Sequence, residues 1–177
     1  MAEEARPAGG PPSGTDLART GAGVIREASF PQDGPSVSSL LDAYLRQTET
    51  EKAEHGVAPR AADLPERYAR EVDRPAEALA GMRVLVASVD GEDCGIAVVS
   101  GSPARGSEIK RFWTTPPARG HGLGSALLAE ALGQAARPVR LSVWEWRDPA
   151  IRMYRRLGFA TAERWDDRER LVCLELD

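Results

Sequence analysis

The chain of 177 residues has two cysteines, two histidines and only two lysines, Lys52 and Lys110, beside 21 arginines. Each scarcity removes a class of chemistry. Cys94 and Cys173 lie far apart and match no metal-ligand spacing, and His55 and His121 complete no zinc set and no Cys–His nucleophile, so no metal is expected. Both cysteines fall in apolar strand-like runs and read as small core residues. The arginine excess is a compositional bias that forms no basic block, and the net charge is −4, which argues against a nucleic-acid partner. No apolar run approaches the roughly 20 residues needed to span a bilayer, and no signal-peptide core is seen near the N-terminus. A soluble, cytoplasmic protein without a membrane partner is expected. With 42% hydrophobic residues, the chain can build one globular domain with a substantial core.

Residues 1–22 hold Pro7, Gly9, Gly10, Pro11, Pro12 and Gly14 and almost no large apolar side chain. Such a segment cannot bury enough surface to offset its ordering entropy, so a disordered tail is expected before a domain over 23–177. Val24–Ala28 reads as a strand. Val37, Leu40, Leu41, Tyr44 and Leu45 then repeat at helical spacing, in a helix that runs toward a stop at Gly56. Glu49, Glu51 and Glu54 near its end read either as a solvated face or as an acidic wall for a cationic substrate. A second helix is expected from Leu64 to about Val72, capped by Asp63, with a break at Asp73–Pro75. Arg83–Val89 and Cys94–Ser100 are strand runs joined by a tight turn over Asp90–Asp93. A fourth strand begins at Glu108.

That strand leads to the most informative stretch, Thr114-Thr115-Pro116-Pro117-Ala118-Arg119-Gly120-His121-Gly122-Leu123-Gly124-Ser125. Three glycines let the backbone turn tightly and approach a ligand. The helix that follows offers free N–H groups and a positive dipole end to an anion such as a pyrophosphate, and Arg119 adds a forked cation. A phosphate loop ending in Gly-Lys-Ser/Thr does not fit, because Gly124 is followed by Ser125-Ala126. The dinucleotide fingerprint G-x-G-x-x-G fails too, since Ser125 stands where its last glycine would be. A nucleotide-dependent oxidoreductase is therefore disfavoured. The helix presents Leu123, Leu127, Leu128, Ala131 and Leu132 on one face and ends before Pro138. Val139–Trp144 is a fifth strand. Asp148 and Pro149 open a helix that Gly158 closes, and Phe159–Trp165 with Leu171–Leu176 reads as a closing hairpin.

Arg119-x-x-Gly122-x-Gly124 resembles the coenzyme A pyrophosphate loop of the GNAT superfamily of N-acetyltransferases. Leu141-Ser142-Val143 followed by Ala150-Ile151-Arg152-Met153-Tyr154-Arg155-Arg156-Leu157-Gly158-Phe159 is similar to the family's later motif. The resemblance covers about residues 24–177. It implies an α/β (α+β) fold, with a mixed, mostly antiparallel sheet of about seven strands flanked by helices and a V-shaped splay between strands 4 and 5. It also implies acetyl-CoA as co-substrate and direct attack by a primary amine of a small molecule or peptide in a ternary complex.

On this resemblance the cofactor-binding residues are Phe112, Trp113 and Thr114 at a bulge of the fourth strand, and Arg119, Gly120, His121, Gly122, Leu123, Gly124 and Ser125 of the loop. His121, between two glycines, should face solvent. Glu108 is the candidate base for the ammonium proton, and Tyr154 the candidate acid for the departing thiolate. The sequence departs from the family at Arg147, where many members carry asparagine; Arg147 is a candidate contact to a phosphate or an acidic substrate group. The competing reading is a non-catalytic acyl-CoA-binding or regulatory domain of the same fold. The acceptor stays open, as does assembly into a homodimer.

Overall fold

The computed structural model describes residues 23–177, so the expected tail over 1–22 lies outside the described residues. Strand β1 (Val24–Glu27) is followed by the long helix α1 (Gly34–Glu54), helix α2 (Glu66–Asp73) and one turn of helix, α3 (Pro75–Ala78). Strands β2 (Arg83–Val89), β3 (Glu92–Ser102) and β4 (Gly106–Thr114) form an antiparallel meander. A 3-10 turn at Pro116–Ala118 leads to α4 (Leu123–Gly133), then β5 (Val139–Trp144), α5 (Asp148–Arg156), β6 (Ala160–Thr161) and β7 (Leu171–Leu176). The seven strands make one sheet in the order β1-β2-β3-β4-β5-β7-β6. Only β4 and β5 run parallel. The expected fold class and strand number are therefore found. Among the described residues no helix is long and apolar enough to cross a membrane.

Central strands buried on both faces read as continuous apolar runs, and the alternation of their side chains divides the core in two. Val84, Val86, Ile96, Val98 and Trp113 face Val37, Leu41 and Leu45 of α1. Leu85, Ala87, Ala97, Val99 and Ile109 face Leu127, Leu128 and Ala131 of α4 and Ile151 and Tyr154 of α5. Helices α1 and α4 thus lie on opposite faces of the sheet. Gly95 lets α4 come close: a Cβ there would stand 3.1 Å from the Ala87 Cβ, 3.2 Å from Thr114 Cγ2 and 3.4 Å from Leu127 Cδ2.

The turns differ in detail from the sequence expectations. The β2–β3 loop is only Asp90-Gly91, both at positive φ, as a two-residue hairpin requires, and Asp93 lies within β3. Asp93 there accepts hydrogen bonds from Arg26, Ser36 and Ser88 and so ties β1, α1 and β2 together. Helix α2 starts at Glu66 with Pro65 as its cap, and Asp63 caps nothing. The break at Pro75 is also a new start, since proline suits a first helical turn. At α5 the cap is Arg147, and Asp148 is an acid in the first turn, where it favours the helix dipole. The closing hairpin shrinks to two residues of β6 against β7, leaving a long loop before Leu171.

Candidate active site

Strands β4 and β5 are paired at only two positions, Ser107 with Val139 and Glu108 with Arg140. Beyond Glu108 the edge of β4 that faces β5 has no strand partner among the described residues, so its N–H and C=O groups are open to a ligand. This is the expected splay. Its geometry is sharpened by a bulge: between the pairs Val98–Lys110 and Ile96–Trp113 the register shifts, and Arg111 takes φ +52°. A bulge bends the strand and re-aims its groups, here at the mouth of the V.

Arg111 is anchored there by its own side chain. Its guanidinium donates to Glu71 of α2 at 2.7 Å and lies over the Tyr68 ring. Burial opposes its charge, but the bonds to Glu71 outweigh it and hold the group protonated.

The loop before α4 stands beside the splay. Gly120 and Gly122 both hold φ at +82°, the left-handed region that favours glycine. A Cβ at either would meet no protein atom within 4 Å, so the space above them is free for a ligand's phosphates. Gly122 is the N-cap of α4, with no side-chain cap and no acid in the first turn, so the first N–H groups of the helix are available to an anion. Gly124 follows in that turn, and a Cβ there would touch Phe112 and Thr114 at 3.9 and 4.0 Å, linking loop and strand closely. Arg119 donates to the Thr114 carbonyl at 3.1 Å and to Gln47 at 3.0 Å and lies over Trp113. Burial lowers its pKa somewhat, without making it neutral. These features fit a coenzyme A pyrophosphate.

Loop and splay open into a cavity of about 1280 Å³ that reaches α1 and α2. Every site residue expected from the sequence lines it except His121, which is exposed, and Leu123, whose side chain packs in the core and leaves only backbone to offer. Trp113 also spends its side chain in the α1 core, with Nε1 donating to Gln47 at 2.8 Å.

Glu108 lies at the closed end of the V, half-buried, 3.2 Å from Lys110. Tyr154 is 5% exposed, edge-on to Phe112 and Phe159. Burial pushes its phenol well above the usual value, so it stays protonated at neutral pH.

Arg147 is already engaged. It donates to Glu51 at 2.8 Å and to Thr48 at 2.8 Å, and its guanidinium lies over Tyr44. Burial works against Glu51's charge, but Arg147, Gln47, Trp146 and their hydrogen bonds prevail and lower its pKa. The acidic trio thus splits: Glu51 faces the cavity, Glu49 pairs with Lys52 on α1, and Glu54 is exposed. Tyr44, Gln47, Thr48 and Glu51 form the stripe of α1 that meets the site. The spacing i, i+3, i+4, i+7 was a signal for it, hidden by reading Glu51 with its acidic neighbours.

The sequence profile of the acetyltransferase (GNAT) family matches residues 41–159. No curated protein sequence matches significantly. Solved structures that share the fold include an acetyltransferase from Streptococcus agalactiae, at 15% identity and a TM-score of 0.66, covering 87% of this chain and 97% of that one. Ard1 from Thermoplasma volcanium matches at 26% identity and a TM-score of 0.57, over 87% of this chain and 96% of its own. The protein yncA from Salmonella typhimurium, solved with its cofactor acetyl-CoA, matches at 21% and 0.55, over 88% and 94%. On the profile match, the splayed sheet and the loop together, the chain belongs to the GNAT family of acetyltransferases.

Proposed function

We propose that this protein transfers an acetyl group from acetyl-CoA to the primary amine of a small molecule or peptide, with both substrates bound at once. The observation that carries this reading is the V between β4 and β5, which part after two residue pairs beside an uncapped helix N-terminus. Acetyl-CoA supplies an acetyl group activated as a thioester. Arg119, the backbone at Gly120 and Gly122 and the first N–H groups of α4 would hold its pyrophosphate. The free edge of β4 over Phe112–Thr114 would bond the pantetheine arm and polarise the thioester carbonyl, as fixed donors aimed at developing negative charge do.

The amine arrives as an ammonium of pKa about 10 and must lose a proton before it attacks. Glu108 is the carboxylate on the strand that lines the V, and it takes that proton through a water. A C–N bond forms, the C–S bond breaks, and the sulfur leaving as thiolate receives its proton from Tyr154. Arg147, bound to Glu51 and Thr48, acts by fixing the β5–α5 loop against α1.

Thiol release measured across pH tests the two roles. Glu108→Gln lowers kcat on the order of 10²-fold at pH 7, and raising the pH recovers much of it because the amine then deprotonates unaided. Tyr154→Phe lowers kcat without that recovery and leaves acetyl-CoA affinity nearly unchanged. Full activity of Glu108→Gln at pH 7 removes the base assignment. Absence of thiol release with every amine would make the chain an acyl-CoA-binding domain without activity.

A further inference from the structure

The chain has four tryptophans, three tyrosines and three phenylalanines, and all of them except Phe30 and Phe159 line the cavity described above. Phe112, Trp113 and Tyr154 belong to the wall assigned above to the acetyl-CoA arm. The other five lie toward α1, α2 and the last loop: Tyr44, Tyr68, Trp144, Trp146 and Trp165. Core packing does not account for them all. Trp146 and Trp165 belong to neither core cluster, and Trp165 is 40% exposed on the loop before β7, whereas Trp144 is buried. Trp144 and Trp146 are stacked with ring centroids 4.9 Å apart, and His55 stacks on Trp146 at 4.2 Å, so Trp146 offers the cavity its edge rather than a face.

The charges around the same cavity point in the same direction. Glu51 is bound to Arg147, Glu71 to Arg111, Glu108 to Lys110 and Asp166 to Arg168. The hydrogen bond from Arg168 holds Asp166 down at about 2, so this carboxylate stays committed to its partner. Among the described residues only Asp167 is a lining acid outside an ion pair, whereas Arg67 and Arg119 are lining cations beyond those pairs. A polyamine or an aminosugar carries several ammonium groups and needs several free carboxylates. With Arg119 assigned to the pyrophosphate, this cavity offers it one, Asp167, beside the guanidinium of Arg67.

We propose that the acceptor is an arylalkylamine, a single primary amine on a short tether from an aromatic ring, with the ring held on the side of the cavity that Tyr44, Tyr68 and Trp165 line. The inference rests on the acetyl-transfer reading and names its substrate class. A ring gains from burial against aromatic walls and from edge or offset contacts with them. One ammonium is all that must be deprotonated. Its nitrogen forms the C–N bond as the C–S bond breaks, its proton leaves by way of Glu108, and the sulfur is protonated by Tyr154.

The test compares 2-phenylethylamine and tryptamine with butylamine and spermidine, at fixed acetyl-CoA, by thiol release with the full-length protein. The aromatic amines are expected to exceed spermidine in kcat/KM by at least ~10-fold, the scale on which an apolar pocket discriminates. Trp165→Ala, at a partly exposed loop position, and Tyr44→Leu should each lower kcat/KM for 2-phenylethylamine several-fold more than for butylamine. Equal loss for both amines, or spermidine as the better substrate, overturns the aromatic acceptor and leaves acetyl transfer standing. If no amine is acetylated, the transfer reading fails, and calorimetry of 2-phenylethylamine against spermidine with CoA present decides the pocket. Tighter binding of 2-phenylethylamine supports the aromatic site, and tighter or equal binding of spermidine overturns it.

Discussion

Gly122 combines two demands that only glycine meets together: a φ of +82° and an empty space where its Cβ would be. Valine there would be strained by about 1–2 kcal/mol, the cost of a left-handed L-residue, and its branches would stand in the space proposed for phosphate. Gly122→Val should therefore keep the fold with a modest stability loss while the acetyl-CoA Kd rises at least ~10-fold, about 1.4 kcal/mol. Arg119→Ala should weaken binding in the same direction, more so at low salt, where charge is least screened. Calorimetry showing unchanged affinity in both variants would make the loop structural. These glycines and Arg119 were legible because their spacing is local. The strained residue of the site, Arg111, was not: nothing in Lys110-Arg111-Phe112 announces a positive φ. The bulge is stabilised by Glu71, 40 residues earlier.

Among the elements, β2 and β5 were legible to the residue because apolar runs bounded by turns leave one reading. Helix α3 was not, because Pro75 signals both an end and a beginning. The expected strand over Phe159–Trp165 ends at Thr161; Ala162 makes a last backbone bond to Cys173 of β7, and then side chains take over. Asp166 accepts from the Arg168 N–H at 3.0 Å, and Arg164 donates to the Arg168 carbonyl at 2.7 Å. Helix α1 is joined to the β5–α5 loop by Glu51 and Arg147, which are 96 residues apart and so invisible to local pattern.

That ion pair gives a pH-dependent prediction. Glu51's pKa in the folded protein is below its ordinary value, so its stabilising contribution is complete above the ordinary carboxylate range and is lost as pH falls through the lowered pKa. Glu51→Gln should cost about 1–2 kcal/mol at pH 7 by leaving Arg147 without a counter-ion. Urea unfolding should show the gap between wild type and variant narrowing as the pH falls through the lowered pKa, where the wild-type carboxylate also becomes neutral. A gap of the same size at pH 7 and pH 3 would show that the pair contributes no charge-dependent stability.

In the whole molecule, element order and two motifs made the fold readable, because each strand and helix buries one face in a pattern that repeats locally. The side of the cavity proposed for the acceptor was unreadable for the opposite reason. It is assembled from α1, α2, the end of β5 and the last loop, which come together only in the folded chain. The same assembly explains why transfer should be direct. Neither cysteine lines the cavity; Cys173 is buried, and burial pushes the Cys94 thiol up, away from a reactive thiolate. On the proposed reading the acyl donor lies in the V with the amine beside it, and no acetylated enzyme is needed. Initial rates of thiol release, with acetyl-CoA and amine varied together, test this most directly. The account predicts thiol release only when amine is present and intersecting double-reciprocal lines. Parallel lines with a stoichiometric burst of thiol before any amine is added would contradict it.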